Sequence, residues 1–229
     1  MKVVFNYLLS LFFPDTCIIC QNRICDTEKH ICISCISQLP KTNYHNQPDN
    51  RLVDLFAGRF PFNRAFAFTY FIKEGSMQKV VHELKYKNNP EIGLLMGSLF
   101  GNDIKDSDPI REIDLIIPIP LHPKRQKQRG YNQSEEIAKG IAEQTGIDLN
   151  TTTLVRTVNN PSQTKNNRIE RWKNVEDIFS VIDVNILVNK HILLVDDVIT
   201  TGSTIEACAK ELLKCEGIKI SIASLAIAI

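Results

Sequence analysis

The chain has 229 residues, enough for one α/β domain of ~150 to 180 residues and a small additional module. Its 27 lysines and arginines nearly balance its 26 aspartates and glutamates, and this argues against the global positive field of a sequence-independent nucleic-acid binder. Seven cysteines are too few for a disulfide scaffold. Any basic or cysteine-dependent site must therefore be local.

The chain opens with an apolar run that stops at Pro14. The run resembles a signal peptide, but it has no small-x-small cleavage site and contains Asn6 and Tyr7. With roughly 11 apolar-rich residues it is too short to span a bilayer. We expect an amphipathic helix docked on a cytoplasmic protein, and the alternatives are a membrane-surface anchor and a signal peptide.

Cysteines are concentrated in the next segment, where two C-x-x-C knuckles are formed by Cys17, Cys20, Cys32 and Cys35. Four thiolates about 2.3 Å from Zn²⁺ form a closed structural site, so the spacing predicts a zinc ribbon. Cys25 and His30 lie between the knuckles, and either could replace one ligand. The alternatives are reduced buried cysteines and, outside a βαβ context, a redox pair.

A polar stretch at 41–50 has the composition of a linker, which predicts a boundary between a module at 1–50 and an α/β domain at 51–229. Apolar runs and amphipathic segments then alternate in the manner of a parallel-sheet protein. We predict strands at 65–71, 113–117, 192–195 and 219–229, and helices from Ser76, at 90–100, at 132–145 and at 203–215. Cys208 and Cys215 fall on one face of the last helix, as expected of core residues.

The segment 192–204, ILLVDDVITTGST, carries the clearest chemistry. Its apolar run predicts a buried strand that ends in Asp196 and Asp197 at the carboxyl edge of the sheet, where open α/β folds bind ligands. The hydroxyl-rich turn before the next helix suits a phosphate, because helix N-termini carry free N–H donors and partial positive charge. That turn consists of Thr200, Thr201, Gly202, Ser203 and Thr204.

A phosphate beside two carboxylates is repulsive unless something separates them, and a ribose does so. Its 2- and 3-hydroxyls would donate to Asp196 and Asp197 while its 5-phosphate lies in the turn. Neither a Walker A motif nor a G-x-G-x-x-G fingerprint is present. The alternative is an ordinary strand followed by an acidic turn and a helix cap.

This string resembles the phosphoribosyl pyrophosphate signature of type I phosphoribosyltransferases. Other segments narrow the resemblance to the ComF family of competence-associated proteins, which includes GntX-type proteins: FPDTCIIC with a later CISC, HELKYKNN, IPIPLHPKRQKQRGYNQSEEIA and QTKNNRIERWKNV. The resemblance covers nearly the whole chain. It implies a type I phosphoribosyltransferase-like parallel-sheet domain with an N-terminal helix and a small zinc-ribbon module.

The pyrophosphate of the ligand requires cations from elsewhere in the chain. The segment 118–129 after the predicted strand supplies Lys124, Arg125 and Arg129, and Lys85 is a weaker candidate. The alternatives are a solvated basic turn and a local nucleic-acid patch. The polar segment 159–176 is predicted to be a lid, with Arg168 and Arg171 as candidate contacts.

Three functions are compatible with these features. The first is a phosphoribosyltransferase that uses Mg²⁺ and releases pyrophosphate, with an acceptor that no residue identifies. The second is a non-catalytic phosphoribosyl pyrophosphate sensor or a DNA-handling factor, since the resemblance implies a link to DNA uptake and natural transformation, with single-stranded DNA or competence proteins as partners. The third is a zinc-ribbon interaction protein whose α/β domain is a scaffold.

Overall fold

The computed structural model describes residues 15–157 and 178–229. The predicted N-terminal helix and the predicted lid at 159–176, with Arg168 and Arg171, lie outside these ranges. No helix within the described part of the chain is long and apolar enough to cross a membrane.

A five-stranded sheet forms the centre of the molecule, and all its strand pairs are parallel. In the order in which they lie side by side, the strands are β1 (Ala65–Phe71), β7 (Lys219–Ala228), β6 (His191–Ile199), β2 (Leu115–Pro118) and β3 (Asp148–Leu149). Two further strands, β4 (Leu154–Arg156) and β5 (Phe179–Val181), form an antiparallel pair that flanks residues 158–177. The predicted parallel α/β sheet is confirmed.

Helices cover both faces of this sheet. They are α1 (Ile33–Ser37), α2 (Arg51–Phe56), α3 (Ser76–Tyr86), α4 (Pro90–Ile104), α5 (Asp108–Arg111), α6 (Pro123–Arg129), α7 (Gln133–Thr145) and α8 (Ser203–Leu212), with a 3₁₀ turn at Tyr44–Asn46. Most predicted elements are present with shifted ends. Helix α6 was not predicted, because its sequence PKRQKQR has no apolar face and none of its residues is buried.

Strand β6 is longer than its apolar run. We predicted an apolar strand at 192–195 that ends in Asp196 and Asp197, but the strand continues past both of them to Ile199. Pairing with β7 continues to Ile199↔Ile227, so the backbone stays extended after the side chains become polar.

Two apolar layers lie on opposite sides of the sheet, and alternate residues of β6 face each layer. Leu193 and Val195 pack with α3, α4 and α7, whereas Ile192 and Leu194 pack with α2 and α8. Cys208 and Cys215 are buried in the second layer, as predicted, although Cys215 lies beyond the end of α8. The sheet is therefore buried on both faces, as its continuous apolar runs indicated.

Helices α4 and α7 approach each other closely enough for backbone contact. A Cβ on Gly97 would lie 2.1 Å from the carbonyl oxygen of Ile137, and a Cβ on Gly140 would lie 2.3 Å from that of Leu94. Neither position has room for a side chain. This contact fixes α7, whose first turn reaches the candidate site.

The polar segment at 41–50 is not a free linker, which corrects the interpretation from composition. Thr42 donates its backbone N–H to the Phe68 carbonyl (3.0 Å), and Tyr70 donates to the Pro40 carbonyl (2.8 Å). Lys41 forms an antiparallel bridge with Thr69. The segment thus runs along the free edge of β1, while the proposed domain boundary near residue 50 stays a prediction.

We expect Gly97→Ala to destabilise the protein. Alanine improves helix propensity by about 1 kcal/mol, but a methyl group forced against the Ile137 backbone costs about 1–3 kcal/mol or more. Urea unfolding should give a lower midpoint for this variant and an almost unchanged midpoint for Glu143→Ala, at an exposed position of α7. A Gly97→Ala protein as stable as the parent would contradict the close backbone contact.

Candidate ligand-binding site

The direction in which successive strands are added to the sheet reverses between the parallel strands β2 and β6, and a crevice opens beyond their last pair. After β2 the chain continues through α7 to β3 on one side, whereas after β6 it continues through α8 to β7 on the other. The ladder between the two strands stops at Pro118↔Val195, and Ile119 N–H donates to the Val195 carbonyl at 2.8 Å. Such switch points at the carboxyl ends of parallel strands are where open α/β folds bind ligands.

Asp196 and Asp197 occupy β6 just beyond the last pairing with β2, at the crevice. The Asp196 Oδ1 accepts a hydrogen bond from Ser134 Oγ (3.1 Å) and one from the Asp197 backbone N–H (2.8 Å). The Asp197 Oδ1 accepts from the Val198 N–H (2.6 Å). Backbone and helix α7 therefore fix both carboxylates in position.

The surroundings of Asp196 change its ionisation. Burial, followed by the adjacent negative charge of Asp197, raises the pKa of Asp196 to about 7. The hydrogen bonds from Asp197 and Ser134 and the positive charge of Lys85 act in the opposite direction. Near neutral pH the Asp196 carboxyl is therefore partly protonated, and a ligand that donates hydrogen bonds to it would favour its ionised form.

Lys85, near the end of α3, pairs with Asp197. Its Nζ lies 2.8 Å from the Asp197 Oδ2, and the two side chains are only 22% and 14% exposed. A charge-assisted bond in such a place is stronger than a pair on the open surface. The ammonium group thus stands where a hydrogen-bond donor from a ligand would bind Asp197.

Lys85 also lines a cationic pocket of about 490 Å³. The other lining residues are Tyr86, Asn88, Arg125, Gln128 and Arg129. Arg129 donates to Gln133 Oε1 (2.7 Å), and its guanidinium lies 5.8 Å from the centre of the exposed Tyr86 ring. These six described residues include three cations and no carboxylate, so the space suits a polyanion.

The basic segment at 118–129 reaches this pocket through helix α6. Pro123 opens α6, and His122 Nδ1 accepts from the Lys124 N–H (3.1 Å). Gly130 ends the helix with φ +80°, and a Cβ there would lie 2.9 Å from Asn88 Oδ1. Arg125 and Arg129 face the pocket, whereas Lys124 does not line it.

The hydroxyl-rich turn lies between β6 and α8. Gly202 adopts φ +75° at the N-cap of α8, and within the described ranges no side chain caps that end of the helix. The Thr201 and Ser203 hydroxyls bond to each other at 3.0 Å. Gly202 is buried while the side chains on either side of it are exposed. The turn therefore presents backbone donors and hydroxyls to an anion.

Several contributors to the site were not predicted. Ser134 lies in the NQSEE segment, which indicated only a helix start, and Asn132 caps α7 by accepting from the Ser134 N–H (3.2 Å). Tyr86, Asn88 and Gln128 join the pocket. All of these residues lie in the strings HELKYKNN and IPIPLHPKRQKQRGYNQSEEIA, so the family resemblance of these two strings was the available signal.

The cysteine module packs on the α3–α4 side of the sheet. The Sγ atoms of Cys17, Cys20, Cys32 and Cys35 all lie within 4.8 Å of one another, and the Cys20–Cys32 pair is 3.8 Å apart. A tetrahedral zinc ion with four bonds of about 2.3 Å requires sulfur separations of about 3.8 Å. The four knuckle cysteines therefore fit a structural zinc ion.

The two other candidate ligands, His30 and Cys25, lie outside this cluster. His30 is engaged elsewhere, since its Nε2 lies 2.8 Å from Glu91 Oε2 and its Nδ1 lies 3.4 Å from Asn89 Nδ2. Cys25 is exposed and outside the cluster.

Comparison with known proteins identifies the family of this chain. The phosphoribosyl transferase domain family matches residues 130–228. Competence protein F of Haemophilus influenzae is 25% identical over 214 residues, or 89% of this chain and 93% of the relative. Competence protein ComFC of Bacillus subtilis is 29% identical over 138 residues, or 60% of this chain and 54% of the relative. The chain belongs to the ComF family.

This ComF protein has a type I phosphoribosyltransferase-like fold with a four-cysteine cluster in front of it. DNA utilization protein YhgH of Salmonella typhimurium is a further relative, 30% identical over 139 residues, or 59% of this chain and 60% of the relative. The family match begins at Gly130, so Lys85 and the cysteine module lie outside it.

We expect the ComF protein purified without chelators to contain about one equivalent of zinc. Cys20→Ser should lose the metal and lower the melting temperature, because an ordered module of this size depends on its ion. His30→Ala and Cys25→Ser should keep the metal. Elemental analysis and thermal unfolding test this prediction. If His30→Ala were the one variant of the three that lost zinc, the assigned ligands would be wrong.

The raised pKa of Asp196 predicts a measurable pH dependence. Because the folded pKa lies above that of an unfolded aspartate, the folded state retains a proton that the unfolded state has lost. Relative to Asp196→Asn, the parent should therefore lose stability as the pH rises from about 4 to 7. Urea unfolding at several pH values measures the free energy of unfolding of both proteins. If this free energy changed equally with pH in both, the prediction would be wrong.

Proposed function

We propose that this ComF protein binds phosphoribosyl pyrophosphate, with Mg²⁺, in the crevice between β2 and β6. The observation that carries the proposal is the position of Lys85. It pairs with Asp197 and also lines the cationic pocket, so the carboxylate pair and the pocket belong to one continuous site.

Each part of the ligand has a counterpart in this site. Asp196 and Asp197 accept hydrogen bonds from the two ribose hydroxyls. The turn at 200–204 and the free N-terminus of α8 hold the 5-phosphate. Lys85, Arg125 and Arg129 hold the pyrophosphate, and Lys124 on the same helix adds positive charge nearby. Arg168 and Arg171, which lie outside the described residues, stay predicted lid contacts.

Lys85 must change its role when the ligand binds. A ribose hydroxyl replaces the ammonium group as donor to Asp197, and the lysine turns to the pyrophosphate, which lies in the pocket that it already lines. The exchange leaves no buried charge without a partner, because each group gains a new partner as it loses the old one. An anion without ribose hydroxyls does not offer this exchange.

The residues at the site fit a Mg²⁺ ion that arrives with the ligand. Mg²⁺ prefers oxygen ligands and is usually held by one or two carboxylates together with substrate phosphates, and the Asp196–Asp197 pair supplies such carboxylates. When bound, the ion neutralises charge on the leaving oxygens.

Such a site can support phosphoribosyl transfer. A nucleophile attacks the anomeric carbon, the bond from that carbon to the pyrophosphate oxygen breaks, and pyrophosphate leaves with the bonding electrons. Lys85, Arg125 and Arg129 stabilise the charge that develops on the leaving group. The Asp pair holds the ribose and favours the positive character of the oxocarbenium-like transition state.

The names of the relatives give the reaction a biological setting. Two of them are competence proteins, and one is a DNA utilization protein. We therefore propose that ligand binding by this protein serves the uptake or use of DNA, with single-stranded DNA or other competence proteins as its macromolecular partners.

Ligand binding is tested by thermal unfolding with phosphoribosyl pyrophosphate and Mg²⁺. At 100 times its dissociation constant a ligand stabilises by about 2.7 kcal/mol, which should raise the melting temperature by roughly 5 to 10 °C. Asp197→Asn and Gly202→Val should abolish the shift, while Asp148→Asn, at an exposed position of β3, should keep it. No Mg²⁺-dependent shift in the parent would refute the proposal.

Helix α6 offers a matched pair for the pyrophosphate contact. Arg125→Ala should weaken binding about tenfold or more, because it removes a charge-assisted contact, whereas Lys127→Ala, on the same helix but outside the pocket lining, should have little effect. Titration calorimetry measures both. Equal effects would mean that the helix contributes only overall charge.

Transfer is tested separately by pyrophosphate release over a panel of bases and amines. Release that depends on Mg²⁺ and on an acceptor supports the enzyme. Binding without release over a broad panel would favour the sensor.

A further inference from the structure

Arg59 lies directly behind the hydroxyl-rich turn, and neither the family match nor the sequence motifs include it. It follows α2, and its Nη1 donates to the Thr201 carbonyl oxygen at 2.7 Å. Its Nε lies 3.2 Å from the Glu206 Oε2. One guanidinium thus connects the turn, the first turn of α8 and the segment after α2.

The contact with Thr201 affects how the turn presents its donors. A carbonyl that points toward a bound phosphate would repel it, whereas one that points away leaves the following N–H groups free. Arg59 holds the Thr201 carbonyl on the side of α2. Gly202 continues the turn with φ +75°, and a Cβ there would lie 2.5 Å from the Phe56 ring and 3.0 Å from Arg59 Nη1. The turn therefore rests tightly on Phe56 and Arg59.

The Glu206 carboxylate would repel a phosphate at the N-terminus of α8, and the positive charge of Arg59 can offset this repulsion. A carboxylate in the first turn of a helix is favourable for the helix, because it interacts with the positive N-terminal end. An incoming phosphate needs the same positive end and is repelled by the carboxylate. Arg59 and Lys210 both pair with Glu206, at 3.2 Å and 2.7 Å. Lys210 is exposed, whereas Arg59 lies against Phe56 with its guanidinium 5.9 Å from the ring centre.

We propose that Arg59 is a positioning residue for the 5-phosphate site. It holds the Thr201 carbonyl away from the ligand and neutralises Glu206, and it acts through these two groups rather than through contact with the phosphate. This inference rests on the proposed phosphoribosyl pyrophosphate site and adds to it an arginine from outside the matched family region.

Four proteins test the inference by titration calorimetry: the parent, Arg59→Met, Glu206→Gln and the double variant. The probes are phosphoribosyl pyrophosphate with Mg²⁺, ribose 5-phosphate, and pyrophosphate with Mg²⁺. Arg59→Met should weaken the two probes that carry a 5-phosphate by about tenfold to a hundredfold. Pyrophosphate, which binds at the other half of the site, should be unaffected.

Glu206→Gln in the Arg59→Met background should restore a substantial part of the lost affinity, because the repelling charge is gone. The Glu206→Gln change alone should have a small effect. Arg64→Met is the matched control. Arg64 is exposed and immediately precedes β1, so it lies at the end of the sheet away from the carboxyl ends of the strands. Arg59→Lys, which keeps the charge but not the planar fork, should be intermediate and provides a folded variant if methionine disrupts the domain.

Amide hydrogen exchange provides a readout without any ligand. Exchange at residues 201–204 should become faster in Arg59→Met, while exchange in β6 and β7 stays slow. Unchanged exchange and unchanged 5-phosphate affinity would overturn the inference, as would an equal loss for all three probes. If the parent protein binds none of the probes, the proposed function fails, and the exchange data still decide whether Arg59 holds the turn.

Discussion

The parting of β2 from β6 is the constraint on which the rest of the site depends. Beyond Val195, β6 has hydrogen bonds to β7 on one side and an open crevice on the other. The chain must leave the two strands toward opposite faces, because α7 packs in one apolar layer and α8 in the other. As a consequence, three features lie near the end of the ladder between β2 and β6. They are the two carboxylates of β6, the start of α7, and the N-terminus of α8, which no described side chain caps.

Because β6 carries two adjacent carboxylates at this gap, their negative charge must be offset by neighbouring groups. Adjacent carboxylates in a half-buried strand are unfavourable, and the structure relieves them with a serine hydroxyl, a partly protonated Asp196 and the Lys85 ammonium. None of these partners is covalent or permanent. A ligand that brings donors for the carboxylates and anions for the lysine can replace them without leaving any charge buried alone.

The sequence predicted features that depend on local pattern. The apolar run before Asp196, the turn at 200–204 and the C-x-x-C knuckles are each contained in a few residues. It did not predict contacts set by the sheet order: Ser134 and Asp196 are 62 positions apart, and Arg59 and Thr201 are 142 apart. The sequence also did not predict where the backbone is hydrogen-bonded to a neighbouring strand. Polar side chains suggested an early end to β6 and a linker at 41–50. The backbone of β6 nevertheless stays paired with β7 to Ile199, and the backbone at 40–42 is paired with β1.

Residues 40–42 also affect whether the outer edge of the sheet is open to other chains. Strand β1 is an outer strand, and its AFAFTYF sequence is the kind of apolar edge on which unrelated chains can add strands. The neighbouring backbone at Pro40 and Thr42 already uses hydrogen-bonding groups on that edge, and the buried Tyr44 packs edge-to-face against Tyr70. The cysteine module is therefore joined to the α/β domain by a segment that protects this edge, so a fragment cut at residue 51 would gain a surface prone to aggregation.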